Sequence, residues 1–148
     1  MELFGGIPTA YATVRGDEEH PDLYGTVRFV PGGDGTLVIV EIKGLPESES
    51  GFFGMHIHEG ENCTGEEFPN TGGHYNPEEI RHPEHAGDLP PLLNCHGKAY
   101  LSVLTDRFRI RDIIGRTLVI HSEPDDFRTQ PSGASGEKIG CGIICRIW

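Results

Sequence analysis

Two histidines stand at alternate positions, His56 and His58, in the segment GMHIHEGENC (54–63). Alternate residues of a β-strand face the same side of the strand, with Cα atoms about 6.7 Å apart. Their imidazoles can therefore converge on one metal ion. The same spacing is also found in pairs of solvated or hydrogen-bonded histidines. A metal site here is a hypothesis that needs further ligands.

A second group of candidate ligands follows in the segment GGHYNPEEIRHPEHAGDLPP (72–91). Three imidazoles and one carboxylate make a set that Zn²⁺ accepts in tetrahedral sites. The members are His74, His82, His85 and Asp88. The alternative is a polar surface loop whose histidines share no partner. A regular helix is disfavoured, because Pro83 and Gly87 interrupt the segment.

A further histidine, His121, ends the apolar run RTLVIHS (116–122). An imidazole at the end of a strand could complete the set that His56 and His58 begin, although an exposed histidine at a strand end is the alternative. Six of the eight histidines fall between His56 and His96. Such clustering is typical of metal binding.

The elements that would position these residues are short strands. Alternating or β-branched segments, separated by Gly, Pro, Asn and Asp, predict seven strands. They lie at 7–16, 22–35, 36–46, 52–59, 97–106, 116–122 and 140–148. The segment 108–114 is either an eighth strand or a connector. The pattern predicts an antiparallel sandwich or Greek-key barrel in a single domain, 1–148.

Two long stretches interrupt the strands, 60–96 and 122–139. Loops of this length within a compact domain are usually functional. The first holds most of the histidines, and the second is rich in Pro, Gly, Ser and charged residues. Both are therefore expected to carry the chemistry.

Composition excludes several classes of protein. The formal net charge of −11 makes nucleic acid an unexpected partner, because phosphate binding needs a basic surface. No apolar stretch approaches the ~18–20 residues of a membrane span. The beginning of the chain shows no signal-peptide pattern, but a trimmed leader would leave the same sequence. The compartment therefore stays open between the cytoplasm and an extracytoplasmic space.

Several motifs, taken in order, resemble those of the copper/zinc superoxide dismutases. They read MHIH, GHYNP, HAGDL and GRTLVIH, and the similarity runs from about Gly54 to Gly142. The resemblance implies an all-β fold, an eight-stranded Greek-key β-barrel of immunoglobulin-like sandwich form with long metal-binding and electrostatic loops. It also implies an oxidoreductase that disproportionates superoxide to O₂ and H₂O₂ with copper and zinc as cofactors.

The resemblance carries over residue by residue. It implies copper ligands at His56, His58, His74 and His121. It implies zinc ligands at His74, His82, His85 and Asp88. His74 would bridge the two metals and deliver a proton to the reduced substrate. Asp125 matches an aspartate that connects one ligand of each metal and fixes the ring orientations. His20 and His96 have no counterpart and are expected at the surface.

The cysteines fall into two groups. Cys63 and Cys141 match the family's intrachain disulfide, with two reduced thiols as the alternative. Cys95 and Cys145 have no such match, and no second bridge is predicted. No CxxC pair is present, so a zinc ribbon is not indicated.

A cation is expected near copper, because an anionic substrate must approach a negatively charged protein. Lys138, in SGEKIGC, stands where the family has an arginine. Lysine keeps the charge but loses the planar fork of donors, so retained but reduced activity is expected. Arg128 is a candidate substitute. For both residues the alternative is a solvated surface cation.

Two other functions stay open. One is a non-catalytic copper/zinc-binding protein, a buffer or delivery domain on the same barrel. The other is a structural barrel that holds zinc alone. Superoxide is the implied substrate, and a copper chaperone and a second copy of the chain are candidate partners.

Overall fold

The computed structural model describes residues 6–147. Those residues form eight strands: β1 Ala10–Gly16, β2 Tyr24–Gly32, β3 Gly35–Lys43, β4 Phe52–His58, β5 Asp88–Leu93, β6 Ala99–Thr105, β7 Thr117–His121 and β8 Lys138–Arg146. Helical structure within them is limited to a four-residue helix, α1 (Ile110–Ile113), and a 3-10 turn, Pro69–Thr71. The predicted all-β class is confirmed.

The eight strands form one antiparallel sheet in the order β5-β4-β7-β8-β1-β2-β3-β6. The two strands at the ends of this order, β5 and β6, contact each other, so the sheet curves into a nearly closed barrel. The neighbours β3–β6 and β4–β7 are not consecutive in the chain, as in Greek-key folds. The predicted eight-stranded barrel is confirmed.

The interior of the barrel follows from the two-residue period of a strand. In β1, Ala10, Ala12 and Val14 are completely buried, while Tyr11 between them is exposed. Large side chains such as Phe29 and Phe53 fill the centre. Full burial of each apolar side chain of this size contributes about 1.5–3 kcal/mol.

Of the two alternatives for 108–114, the connector is correct, and the eighth strand lies elsewhere. It is β5, inside the stretch 60–96 that was expected to be a loop, and 108–114 is a connector that contains α1. Pro90 and Pro91 made a strand unexpected here, because proline has no N–H to donate to the hydrogen bonds between strands. They are tolerated because β5 ends the strand order and pairs along one edge, with β4. In the connector, the Asp112 carboxylate accepts a hydrogen bond from the Arg109 N–H at 3.3 Å. This bond caps the N-terminus of α1.

Two long connections remain between strands. One joins β4 to β5 over residues 59–87, and the other joins β7 to β8 over residues 122–137. Both leave from the ends of strands that carry histidines. Among residues 6–147, none of the helical segments has the length and apolar character needed to cross a bilayer.

Candidate metal centre

Four imidazoles meet where β4 and β7 lie side by side. His56 and His58 are on β4, His121 ends β7, and His74 in the β4–β5 connection forms an isolated β-bridge with His58. All four residues are buried, and one ring nitrogen of each lies within 4.8 Å of the others. The structure thus brings together all four predicted copper ligands from three separate segments. This set is called the first cluster below.

A second cluster forms around the Asp88 carboxylate at the start of β5. Its Oδ1 atom lies 2.8 Å from His74 Nδ1, and its Oδ2 atom lies 3.0 Å from His82 Nδ1 and 3.3 Å from His85 Nδ1. His85 Nδ1 is also 3.2 Å from His74 Nδ1. The three histidines predicted to bind zinc therefore all lie within 3.3 Å of the Asp88 carboxylate, although the group whose ligand atoms all lie within 4.8 Å of one another contains His56 and not His85. The His56 ring has a nitrogen within 4.8 Å of atoms of His74, His82 and Asp88.

His74 belongs to both clusters through different atoms. Its Nδ1 faces Asp88 in the second cluster. Its Nε2 is buried and has no hydrogen-bond partner within residues 6–147. The ring stacks on His56 with centroids 3.9 Å apart and an interplanar angle of 25°. One imidazole thus presents a nitrogen to each cluster.

Hydrogen bonds fix which nitrogen of each ring is left for a metal. His58 Nδ1 donates to the Gly72 carbonyl oxygen at 2.8 Å. Asp125 spans the two clusters, because its Oδ2 accepts from His56 Nε2 and its Oδ1 from His82 Nε2, both at 2.7 Å. A neutral imidazole that donates from one nitrogen carries a lone pair on the other.

The ring nitrogens that form no hydrogen bond indicate whether metal ions would fit the two clusters. His56 Nδ1 is buried without a hydrogen-bond partner in the described part of the chain, and His82 Nδ1, although it lies 3.0 Å from Asp88 Oδ2, is not aligned for a hydrogen bond with it. A buried polar atom without a partner costs free energy, and a coordinated cation would offset that cost. Imidazole suits both copper and zinc, and the added carboxylate suits zinc. The residues of both clusters therefore fit the cofactors that the resemblance implies.

Burial keeps three histidines of the first cluster, His56, His58 and His121, neutral. It lowers the pKa of His56 to about 4, even though the Asp125 hydrogen bond opposes the shift. Burial and the neighbouring imidazoles His56 and His74 lower the pKa of His121 to about 3, and the pKa of His58 also falls well below its usual value. These rings are unprotonated at pH 7, which is the form that binds metals.

The two carboxylates are ionised. Burial alone would raise the pKa of Asp125, but hydrogen bonds from His56, His82 and the Phe127 N–H lower it to about 2. Burial is likewise outweighed at Asp88, where the hydrogen bond from His74 lowers the pKa. At neutral pH, Asp125 therefore acts as a charged acceptor for both rings that it orients.

Lys138 begins β8 opposite His121. Its ammonium group donates to Thr71 Oγ1 at 2.7 Å and to the Gly72 carbonyl oxygen at 3.2 Å. That carbonyl is the one that orients His58, so Lys138 lies beside the first cluster. Burial lowers the pKa of the lysine. Arg128, the other predicted cation, is exposed in the β7–β8 connection.

The predicted disulfide is confirmed. Cys63 and Cys141 are bonded, with Cα atoms 5.8 Å apart, and they pack with Phe68 and Val119. The bridge ties the β4–β5 connection to β8. Cys95 and Cys145 are exposed and have no disulfide partner in the described residues. The remaining histidines lie outside both clusters: His96 is exposed, and His20 is half-buried against Asp17.

Three residues that the sequence did not single out hold the histidine-bearing loops. Arg116 donates to the Glu59 carbonyl oxygen at 2.9 Å and lies over the Tyr75 ring. Arg107 donates to the carbonyl oxygens of Pro83 (2.6 Å) and His85 (3.3 Å). Gln130 hydrogen-bonds the main chain of His82. Arg116 could have been noticed within the GRTLVIH motif, but no local signal marks the other two.

Comparison with known proteins agrees with this geometry. The family model for copper/zinc superoxide dismutase matches residues 23–144. A superoxide dismutase [Cu-Zn] of Deinococcus radiodurans is 34% identical, with 91% of this chain and 85% of that protein covered. Superoxide dismutase [Cu-Zn] 2 of Aquifex aeolicus is 33% identical, with 83% and 80% covered.

Among solved structures, a double mutant of a SOD-like protein from Bacillus subtilis superposes with a TM-score of 0.78 at 28% identity. The superposition covers 91% of this chain and 96% of that one. The family match extends over most of the barrel and both long connections. The chain therefore belongs to the copper/zinc superoxide dismutase family.

Proposed function

We propose that the protein is a superoxide dismutase, which converts two superoxide anions and two protons into O₂ and H₂O₂. The observation that carries the proposal is the position of His74, which offers one ring nitrogen to each of two ligand clusters. With both ions bound, His74 would be shared between the two ligand sets, and the ligands of the second set would keep its ring in place.

The proposed ligand sets are those of the two clusters. Copper would be held by His56, His58, His74 and His121, and zinc by His74, His82, His85 and Asp88. Copper bound there would supply the one-electron redox chemistry. Asp125 orients one ring of each set from outside, which fixes the direction of the lone pairs and raises ligand basicity.

His74 is also the proposed proton donor. Its Nε2 atom faces the first cluster, while its Nδ1 atom is held on the Asp88 side. A proton on Nε2 would therefore lie on the side of the first cluster, from which it could be transferred to the reduced substrate. General acid catalysis by a positioned side chain contributes typically about 10²–10⁴-fold in rate.

Lys138 is proposed to attract the anion against the overall charge of −11. We expect Lys138→Met to lower kcat/KM for superoxide by about tenfold and to weaken its dependence on ionic strength, because the local positive charge is lost. Lys138→Arg should raise kcat/KM above that of the unaltered protein, because arginine restores a fork of donors. Stopped-flow kinetics at equal copper content measures both.

Arg128→Met is the matched control, since Arg128 is an exposed cation in the adjoining connection. We expect it to change kcat/KM by less than about twofold. If Lys138→Arg leaves the rate unchanged or lowers it, the account of Lys138 is wrong. If Arg128→Met has the larger effect, the steering cation is Arg128.

The proposal as a whole is tested by loading the purified protein with copper and zinc and measuring superoxide consumption. We expect one copper and one zinc per chain and rapid consumption, with an EPR spectrum of copper that changes when zinc is removed. If the protein binds copper and zinc but consumes superoxide no faster than a metal-free control, the proposal that it is an enzyme is refuted.

That outcome would support the alternative, a non-catalytic copper/zinc-binding protein on the same barrel. One observation favours it. The Lys138 ammonium donates to Thr71 and Gly72, so two of its three N–H donors are already engaged by the protein. Binding of zinc alone would instead support the structural barrel.

A further inference from the structure

We infer that Gln130 is a positioning residue for the proposed zinc ligand His82, an inference that rests on the proposed function. Its side-chain oxygen accepts a hydrogen bond from the His82 N–H at 2.8 Å, and its side-chain nitrogen donates to the His82 carbonyl oxygen at 2.7 Å. The amide thus pairs with both main-chain polar groups of one ligand residue, 48 positions away in the chain.

The orientation of this amide is determined by its partners. The Gln130 nitrogen also donates to the Arg128 carbonyl oxygen at 3.0 Å. With the amide reversed, its oxygen would face two carbonyl oxygens and its nitrogen would face an N–H group. A single orientation therefore satisfies all three contacts, and it holds the His82 peptide groups in one place.

The same connection holds the ring of His82. Asp125 Oδ1 accepts from His82 Nε2 at 2.7 Å, which leaves Nδ1 directed at Asp88. Gly133 lies so close that a Cβ atom there would collide with Asp125 and lie 2.6 Å from His82 Nε2. Gln130 hydrogen-bonds the main chain of His82, and Asp125 hydrogen-bonds its ring. The β7–β8 connection therefore fixes both the backbone and the side chain of this proposed zinc ligand.

The role of Gln130 is separable from the stability of its own loop. Asp126 accepts hydrogen bonds from Thr129 and from the Arg128 N–H, and the Gly133 N–H donates to the Thr129 carbonyl oxygen. These bonds close the loop without Gln130. The His82 N–H and carbonyl groups, in contrast, have no other hydrogen-bond partner within residues 6–147.

The test is the zinc affinity of Gln130→Met, which has a side chain of similar length without hydrogen-bonding groups. Competition with a chelator should show zinc binding weakened by about tenfold, as for other residues that support metal ligands from outside. Copper affinity should change by less than about twofold, because the Gln130 side chain forms no hydrogen bond with a residue of the first cluster. Co²⁺ placed in the zinc site should show a shifted visible spectrum.

Two further variants complete the test. Gln130→Glu keeps the acceptor for the His82 N–H but sets a carboxylate oxygen against the His82 and Arg128 carbonyl oxygens, so a loss at least as large, about tenfold, is expected. Thr129→Val removes a bond inside the loop without touching His82 and should leave zinc affinity within about twofold. The unaltered protein must bind zinc, and failure there would overturn the proposed function together with this inference.

Zinc affinity of Gln130→Met within twofold of the unaltered protein would overturn the inference alone. Equal losses of copper and zinc affinity, or an equal loss in Thr129→Val, would also overturn it, because they would indicate a general weakening of the loop. If Gln130→Met does not fold, Gln130→Glu decides by the same criteria.

Discussion

Replacement of His74 by alanine is expected to lower superoxide consumption by at least about 100-fold, because the change removes a ligand of both metals and the proposed proton donor. The ring presents Nδ1 to Asp88 and leaves Nε2 toward the first cluster. It also stacks on His56. The measurement is kcat/KM by stopped-flow, normalised to bound copper.

The distinctive feature of His74 is that its loss should affect both metals. His74→Ala should weaken copper and zinc binding together, whereas His121→Ala should weaken copper binding alone, since His121 has no contact with Asp88 among the described residues. His96→Ala, at an exposed position outside both clusters, is the control and should change neither. If His74→Ala weakens the binding of one metal alone, the ring does not bridge.

Loss of the disulfide is expected to have the largest effect on stability. Cys63 and Cys141 are 78 positions apart, and in the chain-entropy model a closed loop of that length contributes about 4.5 kcal/mol at 25 °C. The variant Cys63→Ser/Cys141→Ser should therefore unfold about 9–18 °C lower, at about 2–4 °C per kcal/mol for a domain of this size. Thermal unfolding of the metal-free protein without reductant measures the difference.

Cys145→Ser is the matched control for the disulfide. Cys145 is on the same strand, β8, and is exposed, so its replacement should change the free energy of unfolding by less than about 0.5 kcal/mol. A double variant that loses less than about 1 kcal/mol would contradict the prediction. Such a result would mean that the packing of Phe68 and Val119 around the cysteines holds the connection without the bond.

The ligand types and most of the strands could be predicted from the sequence, because both depend on the types and spacing of residues that are close in the chain. His56 and His58 share a face since a strand alternates sides. The predicted strands 22–35 and 36–46 became β2 and β3, which pair with each other up to Gly32 and Gly35. The strand β5 was missed because its two prolines contradict the usual pattern. The four-residue helix α1 was missed because its apolar spacing also fits a strand.

Only the tertiary structure decided how the site is held. The sequence supplies eight histidines, but it does not say which ring nitrogen donates to Gly72 or Asp125 and which remains for a metal. Gln130 and Arg107 support the second cluster from 48 and 22 positions away, and no local pattern in the sequence indicates such contacts. These contacts depend on where connections that are distant in the chain meet after the barrel has formed. That is a property of the folded chain and not of any one segment.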